Sequence, residues 1–208
     1  MHDDHASSDL LPTLQVPQDC GSPEQPSESH LSMLGHMIFK GNCIYWHPLL
    51  QINYMTYDLH RKTDSVNPWT DYQDIMLLTC RDRSDTQPFC YACILAIYHA
   101  NVVYIGPESK DYQAQRLDFL WVCWFELLDQ PSGWEHYALD KARFVSITQA
   151  NTYSFVNPAD ILKCCHIVPS FAEGKLHPDG VTMSDNVHDS NDWKFYYINW
   201  LVSFTTGI

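Results

Sequence analysis

The sequence predicts a mainly β protein, a partly open β-barrel with one α-helix at its C-terminal end. From Met37 onward, aromatic and β-branched runs alternate with short segments containing proline, glycine or asparagine. This pattern is typical of strands joined by turns. The run 116–127 distributes its side chains between two faces at a period of two. Near the C-terminal end, apolar residues instead recur at the spacing of an α-helix.

Strands are predicted over residues 36–46, 50–59, 73–79, 88–98, 101–105, 116–127 and 142–148. In the segment 116–127, Leu120, Val122 and Trp124 form the apolar centre of one face. The same face is polar at both ends, which indicates a strand that is buried in its middle and exposed at its tips. The segment 88–98 is apolar on both faces and is therefore expected to lie centrally in the barrel.

A C-terminal helix is predicted over about 192–205. Asn191 or Asp192 is a suitable N-terminal cap, and Gly207 provides a stop. Between these ends an apolar stripe at helical spacing consists of Trp193, Tyr196, Tyr197, Trp200, Leu201 and Phe204. The high aromatic content of this stripe leaves a strand as the alternative.

Residues 1–35 are predicted to form a disordered tail, and residues 36–208 a single domain. The tail is rich in proline, serine and aspartate and has no periodic apolar residues. Such a segment cannot bury enough apolar surface to offset the entropy lost on ordering.

The charge and the N-terminal sequence restrict the partners and the compartment. The chain has 12 basic and 25 acidic residues, a net charge of -13. Direct nucleic-acid binding is therefore not expected, since it depends on neutralising phosphates with Lys and Arg. No stretch is long and apolar enough for a membrane-spanning helix, and no secretion signal is recognisable. We expect a nuclear or cytoplasmic protein with reduced thiols.

Several blocks of the sequence resemble a domain encoded in mushroom-forming fungi. The blocks are residues 53–58 with Arg61, 64–68, 88–92, 97–100, 119–125 and 165–174. In that family the domain lies at the C-terminus of transposon-associated proteins of the Plavaka type and of the wider Kyakuja–Dileera–Zisupton group. The resemblance implies an origin in a transposable element and specifies no reaction.

A more distant resemblance is to the bromo-adjacent homology domain, a β-rich module of chromatin proteins. It is carried by Tyr91-Ala92-Cys93-Ile94, by Trp121-Val122-Cys123-Trp124-Phe125 and by the run 158–168. The resemblance implies a barrel and a chromatin-type partner. Cys93 and Cys123 stand where that family has arginine, so no charged contact is carried over at these positions.

Aromatic and acidic residues are concentrated in the first half of the predicted domain. Such a group could form an acid-rimmed aromatic surface that holds a cation such as methyl-lysine. The alternative is turn chemistry for the acids and core packing for the aromatic rings. The candidate binding residues are Tyr54, Tyr57, Asp58, Asp64, Trp69, Asp71, Tyr72, Asp74, Trp124 and Glu126.

A zinc site is the alternative use of the cysteines. Its ligands would come from Cys90, Cys93, Cys164, Cys165 and His166. Residues three apart, or adjacent, on a strand point to opposite faces, so these side chains are expected to diverge. The same argument applies to Cys165 and His166 as a nucleophile and its base. We therefore predict no catalytic residues, no metal and no cofactor.

The leading hypothesis is a non-catalytic protein-interaction module derived from a transposon-encoded protein, with a protein or basic peptide as its partner. An acidic surface with exposed aromatic rings suits such a partner. The alternatives are a metal- or thiol-dependent accessory enzyme of the transposable element, and a degenerate copy without activity.

Overall fold

The computed structural model describes residues 36–55, 61–78, 88–106, 112–129, 138–178 and 192–199. These residues form antiparallel strands and two short 3-10 turns, Pro158–Asp160 and Phe171–Glu173. The predicted tail over residues 1–35 lies outside the described residues. The strands are β1 (Met37–His47), β2 (Leu50–Met55), β3 (Arg61–Val66), β4 (Asp74–Leu78), β5 (Phe89–Tyr104), β6 (Gln115–Leu127), β7 (Asp140–Phe144), β8 (Tyr153–Val156), β9 (Ile161–Cys164), β10 (His166–Pro169) and β11 (Tyr196–Asn199).

Nine of the strands form one large sheet, which confirms the predicted mainly β, barrel-like fold. The strand order is β10-β11-β7-β6-β5-β4-β9, with β1 added to β5 and β8 added to β6. The sheet curves into a nearly closed barrel. The β2–β3 hairpin forms a separate small sheet that contacts β9. No helix in the described part of the chain is long and apolar enough to cross a membrane.

The long β5–β6 pair is the centre of the sheet. β5 runs without a break through both segments predicted as separate strands, 88–98 and 101–105, so that division was wrong. Asn101 does not begin a turn, because it lies opposite Arg116 in the ladder between the two strands. A shift in register between Ile94 and Ala96 bends β5 instead.

The large sheet buries apolar side chains on both faces. Leu120, Val122 and Trp124 of β6 lie in the first core, together with Ile52 and Val66 of the β2–β3 hairpin. The opposite face carries a second core, which β10 and β11 cover. The second core contains Met76, Tyr91, Cys93, Phe125, Ala142, Cys165, Ile167, Tyr196 and Ile198. Of the two faces predicted for residues 116–127, one packs into the first core. The other contributes Phe125 to the second core, whereas Phe119 and Trp121 on that face are half-buried.

The predicted helix over 192–205 is wrong for its described part, because residues 196–199 form strand β11. β11 pairs with β10 on one side and β7 on the other, so its backbone bonds are made between strands. Tyr196 and Ile198 are buried in the second core, and Tyr197 and Asn199, which alternate with them, are half-buried. Aromatic residues fit a pleated surface well. Pairing with β7 and β10 on either side favoured a strand over a helix here. Residues 200–205 lie outside the described residues.

The sequence patterns missed the short strands β3, β8, β9 and β10. Strand β3 carries the polar run Arg61-Lys62-Thr63-Asp64 and pairs with β2 along its whole length. The other three strands have four residues each. A run of four residues is too short for periodicity to separate a strand from a loop.

Candidate binding site

The described residues of the predicted acid-rimmed aromatic surface do not form a single surface. Asp64, Asp74 and Trp124 are buried, with exposed fractions of 1%, 9% and 3%. Their interpretation as exposed binding residues was wrong. Tyr57 and Asp58 lie outside the described residues.

Asp64 joins three strands from a buried position. The Tyr54 hydroxyl of β2 donates a hydrogen bond of 3.2 Å to Asp64 Oδ1. The backbone N–H of Cys164 on β9 donates one of 3.2 Å to Asp64 Oδ2. Burial, followed by the nearby Asp64 carboxylate, raises the pKa of the Cys164 thiol to about 12. Asp64 thus holds the β2–β3 hairpin against β9.

Trp124 and Glu126 lie on β6 and are not part of the turn at residues 67–73. The Trp124 indole Nε1–H donates a 2.7 Å hydrogen bond to Ser154 Oγ on β8, which satisfies the polar atom of a ring in the first core. Glu126 forms an exposed ion pair with Arg143 of β7, with 2.9 Å between Oε2 and Nε. Trp124 therefore has a packing role and Glu126 a pairing role.

The remaining predicted residues, Trp69, Asp71 and Tyr72, lie together in an exposed turn over residues 67–73. Asn67 organises this turn, because its Oδ1 accepts from the Trp69 backbone N–H at 3.0 Å. Its backbone N–H in turn donates to the Tyr72 carbonyl at 2.9 Å. Trp69 is 61% and Tyr72 48% exposed. The turn chemistry expected at Asn67 thus displays two aromatic rings and one acid.

A cavity of about 360 Å³ lies beside this turn. It is lined by side chains on the face of the large sheet that carries the second core and by residues that follow β7 in the sequence. Pro68 and Gln73 bring the two ends of the turn to its rim. The lining residues are Pro68, Gln73, Cys93, Leu95, Cys123, Arg143, Phe144, Val145, Ser146, Ile147, Thr152, Tyr153, Leu176, His177 and Asp192.

Acidic residues lie both in the cavity lining, as Asp192 does, and next to it, as Asp74 does. Asp74 pairs across the sheet with Cys93, which lines the cavity. Burial, and then the charge of Asp71, raises the pKa of Asp74 well above its usual range, and Asp192 acts in the same direction. Asp71 and Asp192 therefore both act electrostatically on the buried Asp74. The one arginine in the described wall, Arg143, is already paired with Glu126.

The thiols that line the cavity are protonated at neutral pH. Burial raises the pKa of Cys123 to about 12. Burial and the neighbouring Asp74 carboxyl raise the pKa of Cys93 well above its ordinary value. Since the thiolate is the reactive form of cysteine, these side chains act here as apolar wall.

The proposed zinc ligands are divided between the two cores. Cys90 and Cys164 lie in the first core, whereas Cys93 and Cys165 lie in the second. His166 begins β10 and is half-buried. In the described ranges, no three His, Cys, Asp or Glu side chains are grouped so that they could hold a metal ion.

A histidine pair joins β1 to β5 at the other end of the sheet. His47 Nε2 and His99 Nδ1 are 2.5 Å apart, and the Tyr45 ring stacks on His99 with 4.6 Å between centroids. Partial desolvation, then Arg116 and His47, lower the pKa of His99 from its ordinary value of 6.5. In such a bond one imidazole donates and the other accepts, so protonation of both rings breaks it.

We expect this pair to make stability depend on pH. The folded protein binds a proton at His99 less readily than the unfolded chain does, so His99 contributes fully above about pH 6.5 and less as the pH falls. The midpoint of thermal unfolding, measured between neutral and mildly acidic pH, should fall less steeply in His99→Gln than in the unsubstituted protein. Tyr45→Phe keeps the stacked ring and should retain the steep dependence. Parallel curves for all three proteins would contradict this assignment.

Sequence reasoning missed most of the cavity. Phe144, Ile147, Leu176, His177 and Asp192 come from distant parts of the chain, and no local motif links them. The available signal was the turn sequence Asn67-Pro68, which indicated where the rim would form.

Comparisons with known proteins yielded no relative. No protein-family model matches the chain, and no match was found among the curated proteins or the solved structures.

Proposed function

We propose that the protein is a non-catalytic interaction module, derived from a transposon-encoded protein, that binds a basic segment of a partner protein. The observation that carries the proposal is the cavity beside the exposed turn at residues 67–73, which has Asp192 in its lining. The buried Asp74 lies opposite the lining residue Cys93, and Asp71 and Asp192 both act on it electrostatically. The cavity receives one lysine or arginine side chain of the partner.

The composition of the cavity suits a long cationic side chain. Such a side chain has an apolar stem and a charged head. Leu95, Phe144 and Val145 offer apolar and aromatic surface for the stem, and Asp192 offers a carboxylate for the head. Trp69 and Tyr72 of the adjoining turn add exposed rings that can contact neighbouring residues of the peptide. A volume of about 360 Å³ is near the lower end of ligand sites, which span roughly 300–1,000 Å³.

The buried Asp74 couples the binding of a basic peptide to the release of a proton. Its raised pKa reflects the cost of a buried negative charge close to Asp71. A cation that enters the cavity favours the ionised form of Asp74 and lowers its pKa. Binding of a basic peptide is therefore accompanied by release of a proton.

Two features support a binding role over a catalytic one. The thiols of Cys93 and Cys123 are held in their protonated, unreactive form by burial. In addition, most of the side chains that line the cavity are apolar, and such side chains provide contact area for a bound segment.

Titration calorimetry of the full chain with a lysine-rich peptide tests the proposal. Asp192→Lys is expected to weaken binding by about tenfold or more, equivalent to about 1.4 kcal/mol, because a repulsive charge replaces an attractive one. In buffers of different ionisation enthalpy, the heat should show proton release, and Asp74→Asn should abolish that release.

Asp118→Lys is the matched control. Asp118 is an exposed acid on β6 that is paired with Arg116 at 2.8 Å and does not line the cavity. Its reversal makes the same change in net charge and should leave affinity nearly unchanged. Equal losses of affinity for Asp192→Lys and Asp118→Lys would show that the peptide is held only by general electrostatic attraction. Absence of binding to basic peptides would refute the proposed function.

A further inference from the structure

Strand β1 is apolar and exposed on both of its faces. In the ladder with β5, Ile44 and Trp46 lie opposite Ala100 and Tyr98 on one face, and Tyr45 lies opposite His99 on the other. The exposed fractions of Ile44, Tyr45 and Trp46 are 58%, 46% and 49%. A strand with apolar side chains on both faces is normally covered on both.

The outer edge of β1 is also available for pairing. Among the strands that the structure describes, β1 pairs with β5 alone. An exposed apolar edge is a template for another strand, and proteins usually block it with charges or bulges. Here the irregular part is confined to residues 40–43, where Gly41 and Asn42 have positive φ angles of 71° and 50°. Residues 44–47 remain regular.

The exposed edge formed by β1 carries no negative charge. The segment Met37–His47 contains Lys40 and no acidic residue, although the chain has 25 acids and a net charge of -13. Two copies of so acidic a protein repel each other over most of their surface. At β1 they can approach without bringing carboxylates together.

We propose that β1 is a self-association edge, where two copies of the chain pair β1 with β1 antiparallel about a two-fold axis at Tyr45. A two-fold axis uses the same patch on both copies. In this register Ile44 of one copy lies opposite Trp46 of the other, and an aliphatic–aromatic pair of this kind stabilises a sheet. Pairing also joins the two large sheets into one continuous sheet.

The aromatic rings next to β1 extend the contact. On the face of Trp46, Tyr98 packs against Phe119 with 5.6 Å between ring centroids, and Phe119 packs against Phe155 at 5.5 Å. Phe155 is 45% exposed. The second copy therefore covers a larger apolar area than the strand alone provides, which favours a stable dimer over a transient contact.

Sedimentation velocity of the full chain at tens of micromolar tests the proposal. The protein should sediment at twice the mass of the 24.1 kDa chain. Ile44→Lys should raise the dimer dissociation constant by about 100-fold or more, because it places two lysines near the axis. Met55→Lys changes an apolar residue of β2 that is 64% exposed and should leave the dimer intact. Circular dichroism checks that each variant is folded.

A cross-link tests the register. In a Cys43→Ser background, Tyr45→Cys should form an interchain disulfide under mild oxidation, because residue 45 lies opposite its own copy within the separation of about 4.4–6.8 Å that a disulfide spans. Met55→Cys in the same background should not.

Three results would overturn the proposal: a monomeric unsubstituted protein, a dimer that persists in Ile44→Lys, or a monomer that adds only a foreign peptide strand at this edge. The proposal does not depend on the proposed function, because no β1 residue lines the cavity. Asp192→Lys should therefore dimerise normally even where it fails to bind a basic peptide.

Discussion

Replacing Asp64 with alanine is expected to lower the free energy of unfolding by about 2–5 kcal/mol. The substitution leaves the Tyr54 hydroxyl and the Cys164 backbone N–H without their acceptor. An unsatisfied buried donor costs about 1–3 kcal/mol. Because Asp64 is only 1% exposed, water cannot easily replace the carboxylate. Urea denaturation followed by circular dichroism measures the loss.

Asp64→Asn is the comparison that separates hydrogen bonding from charge. The amide keeps one acceptor oxygen, so its loss of stability should be smaller than that of Asp64→Ala. The folded fraction of Asp64→Asn should bind a basic peptide as the unsubstituted protein does, since Asp64 does not line the cavity. A change of less than about 0.5 kcal/mol for Asp64→Ala would be typical of a surface residue and would contradict this assignment.

Replacing Trp124 with alanine is expected to lower the free energy of unfolding by about 3–5 kcal/mol, the range for large aromatic residues in a core. Trp124 is 3% exposed and packs in the first core. Its indole also holds β8 to β6 through the bond to Ser154 Oγ at 2.7 Å. Chemical denaturation again provides the measurement.

Trp69→Ala is the matched control, because Trp69 is the tryptophan of the exposed turn and is 61% exposed. It should change stability by no more than about 0.5 kcal/mol. The hydrogen bond itself is tested by a cycle of Trp124→Phe and Ser154→Ala, whose effects should not add because both remove the same bond. Additive losses in the cycle would contradict the hydrogen bond. Equal losses for Trp124→Ala and Trp69→Ala would place Trp124 outside the core.

The sequence predicted the structure best in the long central strand β6. In the segment 116–127 the period of two was read correctly, and Leu120, Val122 and Trp124 are buried together. The binding interpretation of Trp124 then contradicted that same pattern. A tryptophan on the apolar face of a central strand is a core residue, and burial decided its role.

The C-terminal segment shows the limit of periodicity. Tyr196 and Tyr197 fit a helical stripe, yet Tyr196 and Ile198 also alternate with half-buried neighbours at the period of a strand. Both patterns coexist in the same residues. The choice depended on β7 and β10, which lie far away in the sequence. Lys141 of β7 comes 56 positions before its ladder partner Tyr197, and Pro169 of β10 comes 27 positions before its partner Tyr196.

The sequence by itself determined the fold class, the principal strands and the turn at Asn67, because backbone preference and side-chain alternation are local properties. Only the tertiary structure decided which acids are buried and which walls enclose the cavity. Asp64, Asp71 and Asp74 are close in sequence and chemically alike, but a strand, a turn and a second strand carry them to different surroundings. Burial depends on what the rest of the chain brings into contact, and a short stretch of sequence does not contain that information.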